Sequence, residues 1–216
     1  MLKRIINLFC PKKKKEIFTT SDINEKINNL FDSLDENIIK IHIGTDLNSY
    51  RQLIYDTVFD IRVELQDECG FIIPTVNIED NFFIQENELV IYIREKKIVN
   101  CFMIPNQISI QEEFYELFKS TVYEYIKTIF TNELTEKYIY AVQKNNNLLV
   151  WNLTNILSTI DIKTILTDII LQGKSISNIN YIFEKIGEQV LSSGEYRDYL
   201  KKYNPHAIAR EIITSL

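Results

Sequence analysis

The spacing of hydrophobic and polar positions changes near residue 108. Before that point, apolar residues occupy every second position of several short stretches, for example Leu89, Ile91 and Ile93, a period typical of β-strands. After it, apolar residues recur every three or four positions, which is typical of amphipathic helices. The pattern predicts an α+β protein in which an α/β half precedes an all-helical half.

Within the α/β half, the pattern predicts one long helix between strands. Ser49-x-x-Gln52 resembles a capping box, and apolar residues at helical spacing follow it as far as Gly70, a residue typical of helix ends. A strand at 38–43 precedes this helix. Extended chain at 71–78 and strands at 89–94 and 98–104 follow it, with a tight hairpin at Lys96-Lys97.

The helical half is predicted as a series of helices separated by polar breaks. The first begins at Ile110 and carries Phe114, Phe118 and other apolar residues on one side. After a break at 145–147, Asp161 is predicted to cap a helix that ends before Gly173. Further helices are predicted from Ser177, over 195–203, and from Pro205.

We divide the chain into a basic tail (1–20), the α/β part (21–108) and the helical part (109–216). The tail contains the lysine run Lys12–Lys15. One interpretation is a solvated flexible tail. The other is weak attachment to an anionic membrane surface, to which each nearby lysine contributes about 1 kcal/mol.

Composition favours a protein partner in the cytoplasm, with possible contact to the inner face of the membrane. The formal net charge of -6 argues against a surface that binds nucleic acid. No stretch approaches the roughly 20 apolar residues of a membrane span. The three cysteines, Cys10, Cys69 and Cys101, form no CxxC pair and fit a reducing compartment.

Residues for catalysis, metals or cofactors are not apparent. His42 lies within an apolar strand, where a structural histidine is the ordinary interpretation. The carboxylate pairs Asp67-Glu68 and Glu79-Asp80 lie on polar faces. Gly173-Lys174-Ser175 is similar to the end of a phosphate-binding loop but follows a helix instead of a strand. We therefore predict a protein that is not an enzyme and has no cofactor or metal.

The two helices around Gly173 also permit a helix-turn-helix interpretation, in which the second helix would enter a DNA groove. That helix offers Lys185 as its cation against Glu184 and Glu188. This balance of charge disfavours contact with phosphates, so DNA binding is the lesser alternative.

Two blocks of sequence resemble a known family. The first runs from Ile61-Arg62 through Gly70-Phe71-x-Ile73-Pro74 to Asp80-Asn81 and continues to Pro105. The second spans 165–186, with Gly173-Lys174-Ser175-Ile176-Ser177 at its centre, and 197–212 adds a weaker match. These blocks are similar to the cytosolic domain of the flagellar and type III secretion export-gate family (FlhA/InvA). We expect a shortened form of that domain without the family's membrane pore.

The resemblance implies a ferredoxin-like piece and a second small α/β piece, followed by a helical subdomain. It also implies chaperone and cargo binding in a cleft, and a ring of copies. By the family's motif, Glu68 and Phe71 would bind the partner, Phe71 as an exposed apolar anchor. The structural alternative places Phe71 in the core and Glu68 in solvent.

The sequence thus predicts a protein-interaction module of flagellar or type III export that docks chaperones, substrates or export machinery. The alternative is a structural or regulatory protein of another membrane-associated complex that reuses the fold.

Overall fold

The computed structural model describes residues 38–104, 107–191 and 204–216. The chain forms two compact units. We call them the sheet unit, described over 38–65, 72–104 and 107–129, and the helical unit, which contains 66–71 and the described residues from 130 onward. The predicted basic tail, including Lys12–Lys15, and the predicted helix at 195–203 lie outside the described residues.

The described part of the sheet unit contains four strands, with a 3-10 helix and a long helix between the first two strands and two further helices after the last. Its elements are β1 (Ile39–Ile43), a 3-10 helix (Thr45–Tyr50), α1 (Arg51–Cys69), β2 (Val76–Asp80), β3 (Glu88–Ile93), β4 (Lys96–Phe102), α2 (Gln107–Glu124) and α3 (Ile126–Ile129). The last residues of α1, from Gln66, group with the helical unit.

The strand order is β2-β1-β3-β4. β1 pairs in parallel with β2 and antiparallel with β3, and β3 pairs antiparallel with β4. The mixed α+β class predicted from the sequence is therefore present. A ferredoxin-like unit is a split βαβ, whereas β1 and β2 are direct neighbours here, so that finer prediction is not confirmed.

Alternation along the strands separates a buried face from a polar face. Ile39, Ile41 and Ile43 of β1 are buried, while Lys40 and His42 between them are only partly covered. β3 is buried at five of its six positions, as expected for a strand inside the sheet. The last strand, β4, is exposed or half-exposed throughout.

Two local predictions in the sheet unit are wrong. Ser49 does not cap the long helix, because it lies in the 3-10 helix that runs directly into α1, and the Gln52 side chain donates to Asp56 Oδ1 at 2.8 Å. The hairpin turn consists of Arg94 and Glu95, with φ of +48° and +62°, instead of the two lysines. Positive φ at both central residues matches the twist of paired strands.

The helical unit contains five described helices. They are α4 (Asn132–Gln143), α5 (Asn147–Thr154), α6 (Thr159–Leu171), α7 (Ile179–Leu191) and α8 (Pro205–Ser215). Each has a buried apolar side, such as Ile162, Ile165 and Ile169 of α6. No helix in the described part of the chain combines the length and the hydropathy needed to cross a membrane.

Helix ends in this unit are set by side-chain caps. Ser158, not Asp161, is the N-cap of α6, and Asp161 is its partner in a reciprocal capping box. Asn204 caps α8 ahead of Pro205, which confirms the predicted position of that proline. At the end of α6, Gly173 has φ +71°, and the amides of Gly173 and Lys174 bond back into the helix. This is a Schellman cap.

Candidate interaction site

The residues singled out by the family resemblance meet at a corner after α1, which we call the Gly70 corner (residues 68–71). Gly70 has φ +74°, a conformation that side chains disfavour. A Cβ atom at this position would lie 2.4 Å from the backbone nitrogen of Ser177. Glycine is therefore required by both the backbone conformation and the close approach of the neighbouring segment.

Hydrogen bonds hold this corner to the rest of the helical unit. The Ile176 amide donates to the Cys69 carbonyl at 2.8 Å, and the Tyr138 hydroxyl donates to the Gly70 carbonyl at 2.6 Å. The first block of family resemblance thus contacts the Ile176-Ser177 turn of the second block. The Gly70 corner and the Ile176-Ser177 turn form one packed element of the helical unit.

Phe71 lies inside this element and is 0% exposed. Its ring stacks on Phe130 with centroids 5.6 Å apart, and Phe130 stacks on Tyr138 at 5.5 Å. The expectation that Phe71 is an exposed anchor is therefore wrong. All three residues of the run Phe71-Ile72-Ile73 are buried, and the stacking on Phe130 accounts for the inward position of the ring.

Glu68 lies in the last turn of α1, and its side chain is exposed. The structure therefore separates the two predicted partner-binding residues, with the carboxylate at the surface and the ring in the core. The role of Glu68 in binding stays a prediction.

The sheet unit carries a surface that sequence reasoning missed. The connection between β2 and β3, residues 81–87, presents Phe82 and Phe83, which are 75% and 99% exposed. We call it the phenylalanine loop. The sequence does contain a signal for an exposed loop, because two adjacent aromatic residues lie between the polar stretches 79–81 and 85–87. Such flanks are typical of a solvent-exposed connection and not of a buried strand.

His42 supports this loop. Its Nδ1 atom lies 3.0 Å from Asn81 Nδ2, and its Nε2 atom lies 3.6 Å from Glu79 Oε2. The imidazole also contacts the Tyr92 ring, with centroids 4.7 Å apart. These contacts agree with the structural role predicted for this histidine.

The Cys101 thiol and the possible metal ligands show no arrangement for catalysis in the described part of the chain. Burial, together with the nearby carboxylates of Glu113 and Glu88, raises the pKa of the Cys101 thiol to about 11, which keeps it protonated at neutral pH. Among residues 38–104, 107–191 and 204–216, no group of three or more histidine, cysteine and acidic side chains is placed to hold a metal ion.

The helix pair around Gly173 does not present a basic surface. Gly173 and Lys174 take part in the cap of α6. On α7, Lys185 Nζ lies 2.6 Å from Glu188 Oε2, so its charge is compensated on its own helix. This arrangement gives no support to the helix-turn-helix alternative.

Comparison with known proteins places the fold. No family model and no curated protein sequence matches the chain. Solved structures do match. The Chlamydia pneumoniae CdsV protein superposes with a TM-score of 0.67 at 10% identity, covering 84% of this chain and 65% of that one. The Shigella flexneri MxiA protein gives 0.58 at 15% identity, covering 82% and 63%.

The nonameric SctV-C protein of EPEC is similar as well, with a TM-score of 0.62 at 14% identity over 82% of this chain. The chain spans 65% of the length of that protein, as it does of CdsV, and so just under two thirds. Identities of 10 to 15% establish a shared fold and not a shared activity.

These superpositions place the chain in the class of α+β folds found in secretion export gates. Specifically, the chain has the fold of the cytosolic domain of type III export-gate proteins, as its sequence motifs indicated.

Proposed function

We propose that this chain is a non-enzymatic protein-interaction module of a type III or flagellar export system, which docks chaperones, substrates or export machinery. The observation that carries the proposal is the fold, which matches export-gate cytosolic domains over more than four fifths of the chain. The structural surroundings of His42 and Cys101 also fit a binding role better than catalysis.

The structural neighbours support protein partners. CdsV was solved in complex with CdsO, and the SctV-C and EscV cytosolic domains are nonameric. For this chain, we extend these properties to binding of an export component and to association with further copies. A cytoplasmic position beside the inner face of the membrane is part of the proposal, with Lys12–Lys15 as the contact to anionic lipid.

The proposed organisation keeps three parts: the tail (1–20), the α/β part (21–108) and the helical part (109–216). Within it, we propose that Glu68 faces the partner, because it is the exposed residue of the Gly70 corner that the family motif singles out. Phe71 supports this surface from the core by stacking on Phe130. A carboxylate on a rigid corner accepts charge-assisted hydrogen bonds from a partner's arginine or lysine.

The test is co-purification of the tagged intact chain from its source cells. We expect recovery of secretion chaperones or export components, and at least tenfold lower recovery with Glu68→Lys. Asp67→Lys is the matched control, since Asp67 is exposed on the same turn and the change of charge is identical. Equal recovery by both variants would remove Glu68 from the site, and recovery of no export component by the intact chain would reject the function.

A second candidate function is compatible with the same fold, because identities of 10 to 15% carry the fold and not the role. It is a structural or regulatory protein of another membrane-associated complex that reuses the fold. The same co-purification separates the two functions. Recovery of one membrane complex that has no secretion component favours the second candidate.

A further inference from the structure

The phenylalanine loop leaves two large apolar side chains in water. Phe82 and Phe83 are adjacent, and their exposed fractions are 75% and 99%. Single exposed apolar residues are common, but clustered aromatic residues on a surface mark interaction sites. Phe102 and Ile104, 54% and 69% exposed, lie at the same end of the sheet, because Phe102 pairs with Glu88 where the loop enters β3.

The loop is held in place by bonds to the end of β1, to the 3-10 helix and within the loop itself. The Asn81 amide donates to the Ile43 carbonyl at 2.9 Å, and the Asn81 side chain accepts from the Phe83 amide at 2.9 Å. The Asp46 amide donates to the Glu86 carbonyl at 2.8 Å. A loop fixed in this way loses little conformational freedom on binding.

Gly44 permits this arrangement. A Cβ atom at position 44 would lie 2.1 Å from the carbonyl oxygen of Gln85 and 2.5 Å from that of Glu86. The backbone of the loop therefore approaches the end of β1 more closely than any side chain would allow. The exposed rings project from a well-anchored backbone.

Charge around the loop is predominantly negative. Glu79, Asp80 and Glu86 flank the two phenylalanines along the chain, and the bond from Asp46 to Glu86 brings a further acidic residue. Arg51 Nη1 lies 3.0 Å from Asp80 Oδ2 and compensates one of these charges. An acidic border attracts a basic partner and is repelled by anionic lipid and by a second copy of a chain whose net charge is -6.

We propose that the phenylalanine loop docks onto a partner protein that presents an apolar strip bordered by lysine and arginine side chains. Phe82 and Phe83 are the apolar anchors, and the acidic border sets orientation and selectivity. This inference rests on the proposed function and deepens it by adding a second contact surface, separate from Glu68, and the chemistry of the partner that this surface would take.

The first experiment uses two synthetic amphipathic helices as probes, with the same leucine face but with either lysine or glutamate on the polar face. Binding of each fluorescent peptide to the full chain is followed by anisotropy. The lysine peptide should bind, and Phe82→Ala/Phe83→Ala should weaken its binding by about tenfold or more. The glutamate peptide should bind the intact chain at least about tenfold more weakly than the lysine peptide.

The matched control is Leu148→Ala/Trp151→Ala, which removes two side chains of α5 that are 69% and 62% exposed. This control should bind the lysine peptide as the intact chain does. Equal loss in both double variants, or undiminished binding by the Phe82/Phe83 variant, overturns the proposal. Equal binding of the two peptides by the intact chain overturns it as well, because the acidic border would then select nothing.

Two further measurements exclude other occupants. Sedimentation velocity that shows a dimer lost in the Phe82/Phe83 variant would assign the loop to a second copy. Binding to phosphatidylserine vesicles lost in the same variant would assign it to membrane. Either result overturns the proposal. Co-purification with the variant separates this inference from the proposed function: if the intact chain and the variant recover the same export components equally, only the inference fails.

Discussion

Two phenylalanines close together in the sequence, Phe71 and Phe83, differ completely in burial. At the Gly70 corner, Phe71 is buried against Phe130 in the helical unit. In the phenylalanine loop of the sheet unit, Phe83 is almost fully exposed. Both rings belong to runs of three apolar residues, 71–73 and 82–84, so the difference arises from the position of each run. Phe71 stacks on Phe130, whereas 82–84 lies in a short connection between the polar stretches 79–81 and 85–87. Residue type alone therefore does not identify an interaction anchor.

The largest expected effect is at the glycine of the corner. Gly70→Ala should destabilise the chain by about 4 kcal/mol, because it combines positive φ with a clash against the Ser177 backbone. Gly173→Ala is the control, since that glycine also has positive φ but nothing lies within 4 Å of its added Cβ. It should cost about 1 kcal/mol. Urea unfolding followed by circular dichroism measures both, and equal losses would remove the packing part of the argument.

Next comes the direct comparison of the two phenylalanines. Phe71→Ala should lower the free energy of unfolding by about 3 kcal/mol, because it leaves a cavity beside Phe130. Phe83→Ala should change that free energy by less than about 0.5 kcal/mol, since the ring has few contacts to lose. The same urea titration checks both variants. A large loss with Phe83→Ala would show that the loop ring is packed in solution.

A smaller effect is expected at the base of the loop. Asn81→Ala removes the side-chain acceptor of the Phe83 amide and the contact with His42 Nδ1. It should cost about 1 kcal/mol and speed hydrogen exchange of the Phe83 amide. Asn77→Ala offers a control on β2, the strand that leads into the loop, where the side chain contacts Glu79 and not the loop. Unchanged exchange in Asn81→Ala would mean that the backbone bonds alone hold the loop.

The smallest effect on stability at neutral pH is expected from the Cys101 thiol. Cys101 lies in β4 and has a pKa raised from 9.0 to about 11, chiefly by burial. Because the folded pKa is above the unfolded value, stability from this group is present below pH 9 and is lost as pH rises toward 11. In a Cys10→Ser/Cys69→Ala variant, alkylation of Cys101 at pH 8 should be roughly a hundredfold slower than that of an unstructured thiol. Comparable alkylation rates for Cys101 and an unstructured thiol would show that the Cys101 side chain is accessible to solvent.

Much of the fold follows from local pattern. Hydrophobic spacing predicted the strand at Ile39–Ile43, the apolar side of α1 and the helical half. A period of two is typical of strands and a spacing of three or four is typical of helices, so each pattern indicates one type of element. The sequence motifs also led to the export-gate fold that the structural neighbours share. Glycine at positions 70 and 173 marked two helix ends correctly.

What failed depended on tertiary contacts. The hairpin turn was predicted at Lys96-Lys97 but lies at Arg94-Glu95. Its position is set by the register between β3 and β4, and not by the residue types of the turn. The inward position of Phe71 depends on Phe130, which is distant in sequence. The order of neighbouring strands likewise requires long-range pairing, which no local pattern specifies.

The exposed last strand of the described sheet has a consequence for solubility. An edge strand offers a row of backbone hydrogen-bonding groups to any extended chain it meets. In β4, Lys96 and Lys97 begin the strand, and a register irregularity lies opposite, at Ile91 and Tyr92 of β3. Charge and irregularity make a flat, extended pairing with another molecule unfavourable. We expect these features to protect the exposed edge from pairing with another chain, which would leave Phe82 and Phe83 in solvent without turning the neighbouring strand into a site of aggregation.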